Sequence, residues 1–205
     1  MGKTSALNRI LERDKEFTDS FKSQTWTGTF EDYLNLVQEN PKIARNAYQR
    51  LYDMIISFGT ETFTYCNREY TRYKFFESVG EISIFGLEEP LMQFVDVLRS
   101  AAYHYGPERR ILLLHGPVGS SKSTIVTSLK KGLEQYSRTD DGALYTFSWR
   151  VEDDEGNEII VPCPMNEEPL KLLPDNIRNK VLTELNTKLE ATGRYRLSLD
   201  GNISP

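Results

Sequence analysis

Residues 111–124 read Ile-Leu-Leu-Leu-His-Gly-Pro-Val-Gly-Ser-Ser-Lys-Ser-Thr. An apolar run ends in a Gly-rich turn carrying Lys122 and Ser123, and an amphipathic segment with Ile125, Val126, Leu129, Leu133 and Tyr136 follows. Strand, turn and helix in that order make a phosphate-binding loop, in which consecutive backbone N–H groups and a helix N-terminus face one anion. Each residue type has a mechanical reason. Gly116 and Gly119 let the backbone curve around phosphate oxygens. Pro117, Val118, Ser120 and Ser121 complete the cradle. Lys122 supplies a mobile charge to the β- and γ-phosphates, and Ser123 offers a hydroxyl to a Mg²⁺ that bridges them. Thr124 is placed to reach the α-phosphate or to pack. The helix dipole adds about 1 kcal/mol when the site is partly buried. The ligand this predicts is a nucleoside triphosphate with Mg²⁺.

One position departs from the pattern. The glycine that normally precedes the lysine is Ser121. A serine fits there if its backbone is already helical with negative φ, and that is the expectation.

Upstream, Ile84-Phe85-Gly86-Leu87 precedes a helical stripe of Leu91, Phe94, Val95, Leu98, Ala101, Ala102 and Tyr105, stopped by Gly106-Pro107. A tight turn at Ile84 and Gly86 is a candidate to border the adenine ring, although a Gly opening a helix is common. Further back the chain reads as helical. Leu7, Ile10, Leu11, Phe17 and Phe21 recur at helical intervals. Thr29 and Asp32 make a capping box, and Asn40-Pro41 starts a stripe from Ile43 to Ile55 that Gly59 stops. Residues 60–79 crowd Phe63, Tyr65, Tyr70, Tyr73, Phe75 and Phe76 among Arg68, Arg72 and Lys74. Such interleaving can stack nucleic-acid bases, but a short strand or connector laid over a core is the plainer reading.

Downstream, Ala143–Trp149 alternates like a strand, and Asp153–Asn157 reads as a hairpin turn with Glu158–Val161 as its return. The turn's carboxylates read as solvated charge before they read as a metal site. Four prolines make 162–174 an extended loop, Asp175 is placed to cap a last helix, and Tyr195–Pro205 resembles a strand and turn.

Catalytic residues stay unassigned. After Ser123 no apolar strand ends in a carboxylate pair, and the His-Arg-Asp and Asp-Phe-Gly signatures of protein kinases are missing. Arg109 and Arg110 read as exposed charges flanking a buried strand. The chain looks like half of a catalytic site.

Composition bounds the rest. The 205 residues are 39% hydrophobic and 27% charged, which fits a folded protein. A net charge of −5 argues against broad nucleic-acid binding. No apolar run reaches membrane-spanning length, and the N-terminus lacks the apolar core of a secretory signal. Cys66 and Cys163 stand alone, as free thiols do in a reducing cytoplasm. The expectation is a cytoplasmic protein that engages neither nucleic acid nor membrane.

The sequence resembles the N-terminal part of the PrkA family, bacterial proteins described as serine protein kinases with an AAA+ nucleotide-binding domain. The resemblance rests on Phe85-Gly-Leu-Glu-Glu89, His115–Thr124, Leu144-Tyr-Thr-Phe147 with Trp149, and Cys163-Pro-Met-Asn-Glu-Glu-Pro169. The Ser-Ser-Lys-Ser variant is itself found in that family. The resemblance implies an α/β fold: an incomplete P-loop NTPase core of the AAA+ type with a parallel sheet, over residues 75–205. A small helical N-terminal module and connector precede it in residues 1–74. It also implies that the Walker B acid, sensors, arginine finger and kinase-like region lie beyond Pro205, that Ile84–Gly86 borders adenine, and that the fragment alone is inactive. The full-length protein is expected to act on a protein substrate and to be capable of homo-oligomerisation.

Three functions follow. The first is an ATP-binding domain serving a serine/threonine kinase. The second is a motor domain of an ATP-dependent protease or remodelling machine. The third is a nucleotide-gated interaction module. Phosphate on a protein serine, ATP-dependent loss of an unfolded substrate, or binding without turnover distinguishes them.

Overall fold

The computed structural model describes residues 26–79, 83–153, 155–191 and 193–203. The stripe Leu7–Phe21 lies outside the described residues. Thr29 and Asp32 open helix α1 (Phe30–Glu39) with the expected reciprocal cap. Asp32 N donates to Thr29 Oγ1 at 3.2 Å, and Thr29 N donates to Asp32 Oδ2 at 2.8 Å.

The stripe from Ile43 to Ile55 is not one helix. Pro41–Ala44 forms a 3₁₀ turn, Arg45 is extended, and a second capping box between Asn46 and Gln49 launches helix α2 (Ala47–Ser57). Asn46 accepts from Gln49 N at 2.9 Å, so a new N-terminus forms where apolar periodicity alone predicts continuity.

Gly59, at φ +92°, ends α2 and turns the chain into strand β1 (Thr60–Tyr65). Strand β2 (Arg68–Tyr73) returns antiparallel through Cys66 and Asn67, whose φ values of 49° and 62° suit a two-residue primed turn. Phe63 contacts both Tyr70 and Arg72, while Tyr65 stays exposed. Phe63 stacks on Tyr70 at 5.8 Å, and the Arg72 guanidinium lies 4.9 Å from the Phe63 ring centre.

Helix α3 (Phe75–Ser78), helix α4 (Glu88–Ala102) and helix α5 (Lys122–Tyr136) then build the first core with α2. Met54, Ile55, Phe75, Phe76, Val95 and Leu98 are buried there, and Leu114, Leu129 and Leu133 pack against them. Gly132 lets α5 lie directly on Phe75, because a Cβ at that position would come within 2.4 Å of the ring. Helix α4 stops at Ala102, earlier than the stripe through Tyr105, and His104 turns left-handed at φ 57°.

Strands β3 (Ser148–Glu152) and β4 (Glu158–Pro162) pair antiparallel, as the turn at 153–157 predicts. The pairing starts later than the alternation at Ala143. Asp175 does not cap helix α6 (Asp175–Glu190). It sits inside the first turn and pairs with Arg178, while Pro174 occupies the cap position. Tyr195–Ile203 is not a strand. Leu197 instead exchanges both its main-chain groups with the Asn186 amide, at 2.6 and 3.0 Å. A second core of Tyr33, Val37, Leu170, Leu182, Leu185 and Leu197 joins α1 to α6.

Both sheets among the described residues are two-stranded and antiparallel, so the expected parallel sheet is not formed by these residues. The apolar run before the loop is extended but unpaired there. Ile111 is 97% exposed and Leu113 80%, and only Leu114 reaches the core.

A buried guanidinium ties the two cores. Arg45 pairs with Asp53, donates to Tyr136 Oη at 3.1 Å, and donates to the carbonyls of Lys42 and Asp141. Tyr136 Oη donates to Asp141 Oδ2 at 2.7 Å, and Lys42 bonds Asp141 at 3.1 Å. Burial pushes the Asp141 carboxyl up, but the hydrogen bonds from Tyr136 and Lys42 and the charges of Lys42 and Arg45 outweigh it and hold it below the ordinary range.

Replacing Arg45 by Ala leaves Asp53 with the Tyr195 hydroxyl but without its countercharge and leaves the Asp141 carbonyl without its donor, and we expect a loss of about 3 kcal/mol in denaturant-unfolding stability. A depressed carboxyl stabilises the fold fully above its unfolded value and loses that contribution as pH falls through its folded value. The wild type should therefore lose stability below about pH 4, and Asp141→Asn should show a shallower decline in unfolding midpoint over that range.

Candidate functional site

The loop from Gly116 to Ser121 joins the extended run to α5. Two backbone constraints shape it. Gly119 has φ +85°, and a Cβ on Gly116 would meet Ser120 Oγ at 2.8 Å. Ser121 has φ +56°, not the negative φ expected from its helical neighbours. The chain must pass through a left-handed residue to swing from the turn into α5, which is the reason for glycine in the common pattern. Serine holds that conformation at a cost of about 1–2 kcal/mol.

Its consequence is an open row of donors. Among the described residues, the amides of Val118, Gly119 and Ser121 donate to no protein acceptor. Ser121 makes no side-chain cap at the N-terminus of α5, so the first-turn amides of Lys122, Ser123 and Thr124 also stay available. Lys122 curls over this row. Its Nζ donates to Gly116 O at 2.8 Å, Pro117 O at 2.5 Å and Ser120 Oγ at 2.9 Å. All three acceptors are neutral, so the ammonium charge is uncompensated locally and is available to an incoming polyanion. Ser123 is exposed beside it and Thr124 half-buried.

The residues present suit a triphosphate with Mg²⁺. They supply free amides, one mobile cation and an exposed hydroxyl adjacent to it. Among the described residues no cluster of three or more His, Cys, Asp or Glu forms a metal site. A metal ion here would draw on Ser123 and on the phosphates themselves.

Ile84 and Gly86 lie on the same scaffold. Ile84 is buried in the first core, which Leu114 and Ile125 reach from either side of the loop. Gly86 turns left-handed at φ +74° and leaves Phe85 exposed. A small cavity at this turn is lined by Arg72, Phe76, Ile84, Gly86, Leu87 and Glu88. Arg72 is held there by Glu77 and Glu88 at 3.4 and 3.3 Å.

Ser120, expected as part of the cradle, also engages Lys122 through its side chain. Its hydroxyl is an acceptor for Lys122 and donates to Pro117 O at 2.8 Å. The Cys163–Pro169 segment docks on α1. The half-buried Glu168 carboxylate accepts from Tyr33 Oη of α1, and Glu167 pairs with Lys171 at 3.1 Å. Burial pushes the Glu168 carboxyl up.

Loop, helix and open amides have the layout of a P-loop. Comparison with known proteins narrows the class. The family profile described as "PrkA AAA domain" matches residues 28–205, and the chain belongs to that family. An AAA domain implies an α/β P-loop NTPase-like fold and nucleotide binding. The chain is 36% identical over 197 residues, 96% of its length, to "ATP-dependent protease PrkA" of Bacillus subtilis (strain 168). It is 38% identical over 86 residues, 42% of its length, to "Uncharacterized protein in gldA 5'region" of Geobacillus stearothermophilus, covering 77% of that protein. It spans 26% of the length of the B. subtilis relative. No solved structure matches. No helix among the described residues is long and apolar enough to cross a membrane.

Relieving the left-handed serine should stabilise the fold. Ser121→Gly is expected to raise unfolding stability by about 1 kcal/mol in a denaturant titration. A neutral or destabilising result would mean that Ser121 is not left-handed.

Proposed function

We propose that this chain binds Mg-ATP through Gly116–Thr124, with Lys122 on the β- and γ-phosphates and Ser123 toward Mg²⁺. The observation that carries the reading is the row of unpaired amides at Val118, Gly119 and Ser121 beneath the Lys122 ammonium. ATP would displace Lys122 from three neutral acceptors, exchanging them for charge-assisted bonds of roughly twice the strength. The Ile84–Gly86 turn borders the base, as the family resemblance implies. Ile111–Leu114 is a strand of a parallel sheet whose partners are segments other than those described, since an apolar run this exposed is stable only when covered.

The division into a helical lead-in through residue 74 and an ATP-binding part from 75 remains part of this reading, with the lead-in docked on the ATP-binding part by Arg45. We propose that the whole protein uses ATP to drive proteolysis of a protein substrate. The support is the name of the B. subtilis relative and its 36% identity across nearly the whole chain. The serine/threonine kinase activity implied by the resemblance is the competing reading, and homo-oligomerisation in the cytoplasm belongs to both.

Lys122→Ala should abolish protection by Mg-ATP in a thermal-shift assay while keeping the wild-type circular dichroism. Unchanged protection would remove the site assignment. In the full-length protein, an unfolded substrate should disappear only with ATP, and Lys122→Ala should stop it. Radiolabel transferred to a substrate serine without substrate loss would favour the kinase.

A further inference from the structure

Arg72 stands in β2, yet its side chain is spent on the segments that follow. Its Nη2 donates to Glu88 Oε1 at 3.3 Å, at the first residue of α4, and its Nε lies 3.4 Å from Glu77 Oε1 in α3. The stretch between those two carboxylates is the one that carries Ile84 and Gly86. One guanidinium therefore joins the two ends of this turn from outside, while it rests on the Phe63 ring.

The rest of the turn is fixed at its entry and loose at its exit. Ile84 N donates to Phe76 O at 3.0 Å and Ser83 Oγ to Glu77 O at 2.8 Å, which holds the entry against α3. At the exit, Gly86 is left-handed and Leu87 gives α4 no side-chain cap. The start of α4 is instead tied to the hairpin, through Arg72 on Glu88 and through Thr71 N on Met92 Sδ at 3.1 Å. Stability does not account for the arrangement. The side chains of Arg72, Glu77 and Glu88 are 38, 30 and 25% exposed, and ion pairs with that much access to water add little to folding. Geometry is what a planar guanidinium provides, because its nitrogens address two carboxylates in fixed directions.

We propose that Arg72 is a positioning residue for the nucleotide base. By holding Glu77 and Glu88 it keeps the Ile84–Gly86 turn in one shape. The base-dependent part of ATP affinity rests on that shape, and the phosphate-dependent part does not. The β1–β2 hairpin thereby becomes part of the nucleotide site. This role rests on the reading of Gly116–Thr124 as the phosphate seat and of the turn as the border of the base.

Calorimetric titration of the chain with Mg-ATP and with Mg-tripolyphosphate separates the two parts. Arg72→Ala should weaken ATP about tenfold, the cost of ordering a group that the wild type holds ready, and should leave tripolyphosphate unchanged. Glu88→Gln cuts the tie at the exit without altering the hairpin, and it should act in the same direction. Arg72→Lys, a point charge that cannot address both carboxylates in fixed directions, should recover only part of the loss. Lys122→Ala should lose both ligands. Equal weakening of the two ligands by Arg72→Ala and Glu88→Gln, or weakening of neither, would overturn the role of Arg72 and leave the phosphate seat standing. A wild type that binds neither ligand would remove the phosphate seat and this role with it.

Discussion

Everything at the loop depends on one backbone reversal. Gly119 and Ser121 both take positive φ, and between them they turn the chain so that the first amides of α5 and those of Val118, Gly119 and Ser121 remain without acceptors among the described residues. Had Ser121 stayed helical, α5 would begin one residue earlier and the donor row would be shortened. The strain at Ser121 and the open amides are two aspects of a single geometry. Strain of this kind persists where surrounding structure over-determines it, and here α5 is fixed along its length by Phe75 against Gly132 and at its end by Arg45 against Tyr136.

That anchoring explains why the helices before residue 75 matter to a site that begins at residue 116. Arg45 is buried, and each of its partners lies on a different piece of chain: Asp53 on α2, Tyr136 at the end of α5, and Asp141 in the turn beyond. Gln49 adds bonds to the carbonyls of Ala102 and Arg196 at 3.1 and 2.8 Å. A buried charge is costly unless each hydrogen bond is made, so the network favours one arrangement of these elements over near alternatives. The family profile beginning at residue 28 agrees with this physical continuity.

The loop was legible in the sequence because its chemistry uses residue types with few other purposes at that spacing. The caps at Thr29 and the turn at 153–157 were legible for the same reason. What was not legible depended on competition between local signals or on distant partners. Asn46 outcompetes the apolar stripe that runs through it, and Pro174 displaces Asp175 from the cap. The primed turn at Cys66-Asn67 lacks the glycine that usually announces one. Tyr195–Leu199 alternates like a strand, but its main-chain hydrogen bonds go to the side chains of Asn186 and Gln49, which no periodicity reveals. Ser121 is the instructive case, since substitution of the pattern's glycine changed the residue and left the backbone requirement in place.

The most direct test follows the backbone amides themselves. In ¹⁵N-resolved spectra of the chain titrated with Mg-ATP, the account predicts that the largest shifts fall on Val118, Gly119, Ser121 and the first turn of α5, all moving downfield as they begin donating to phosphate. Amides that stay in place while nucleotide binds, or a response centred elsewhere in the chain, would contradict it.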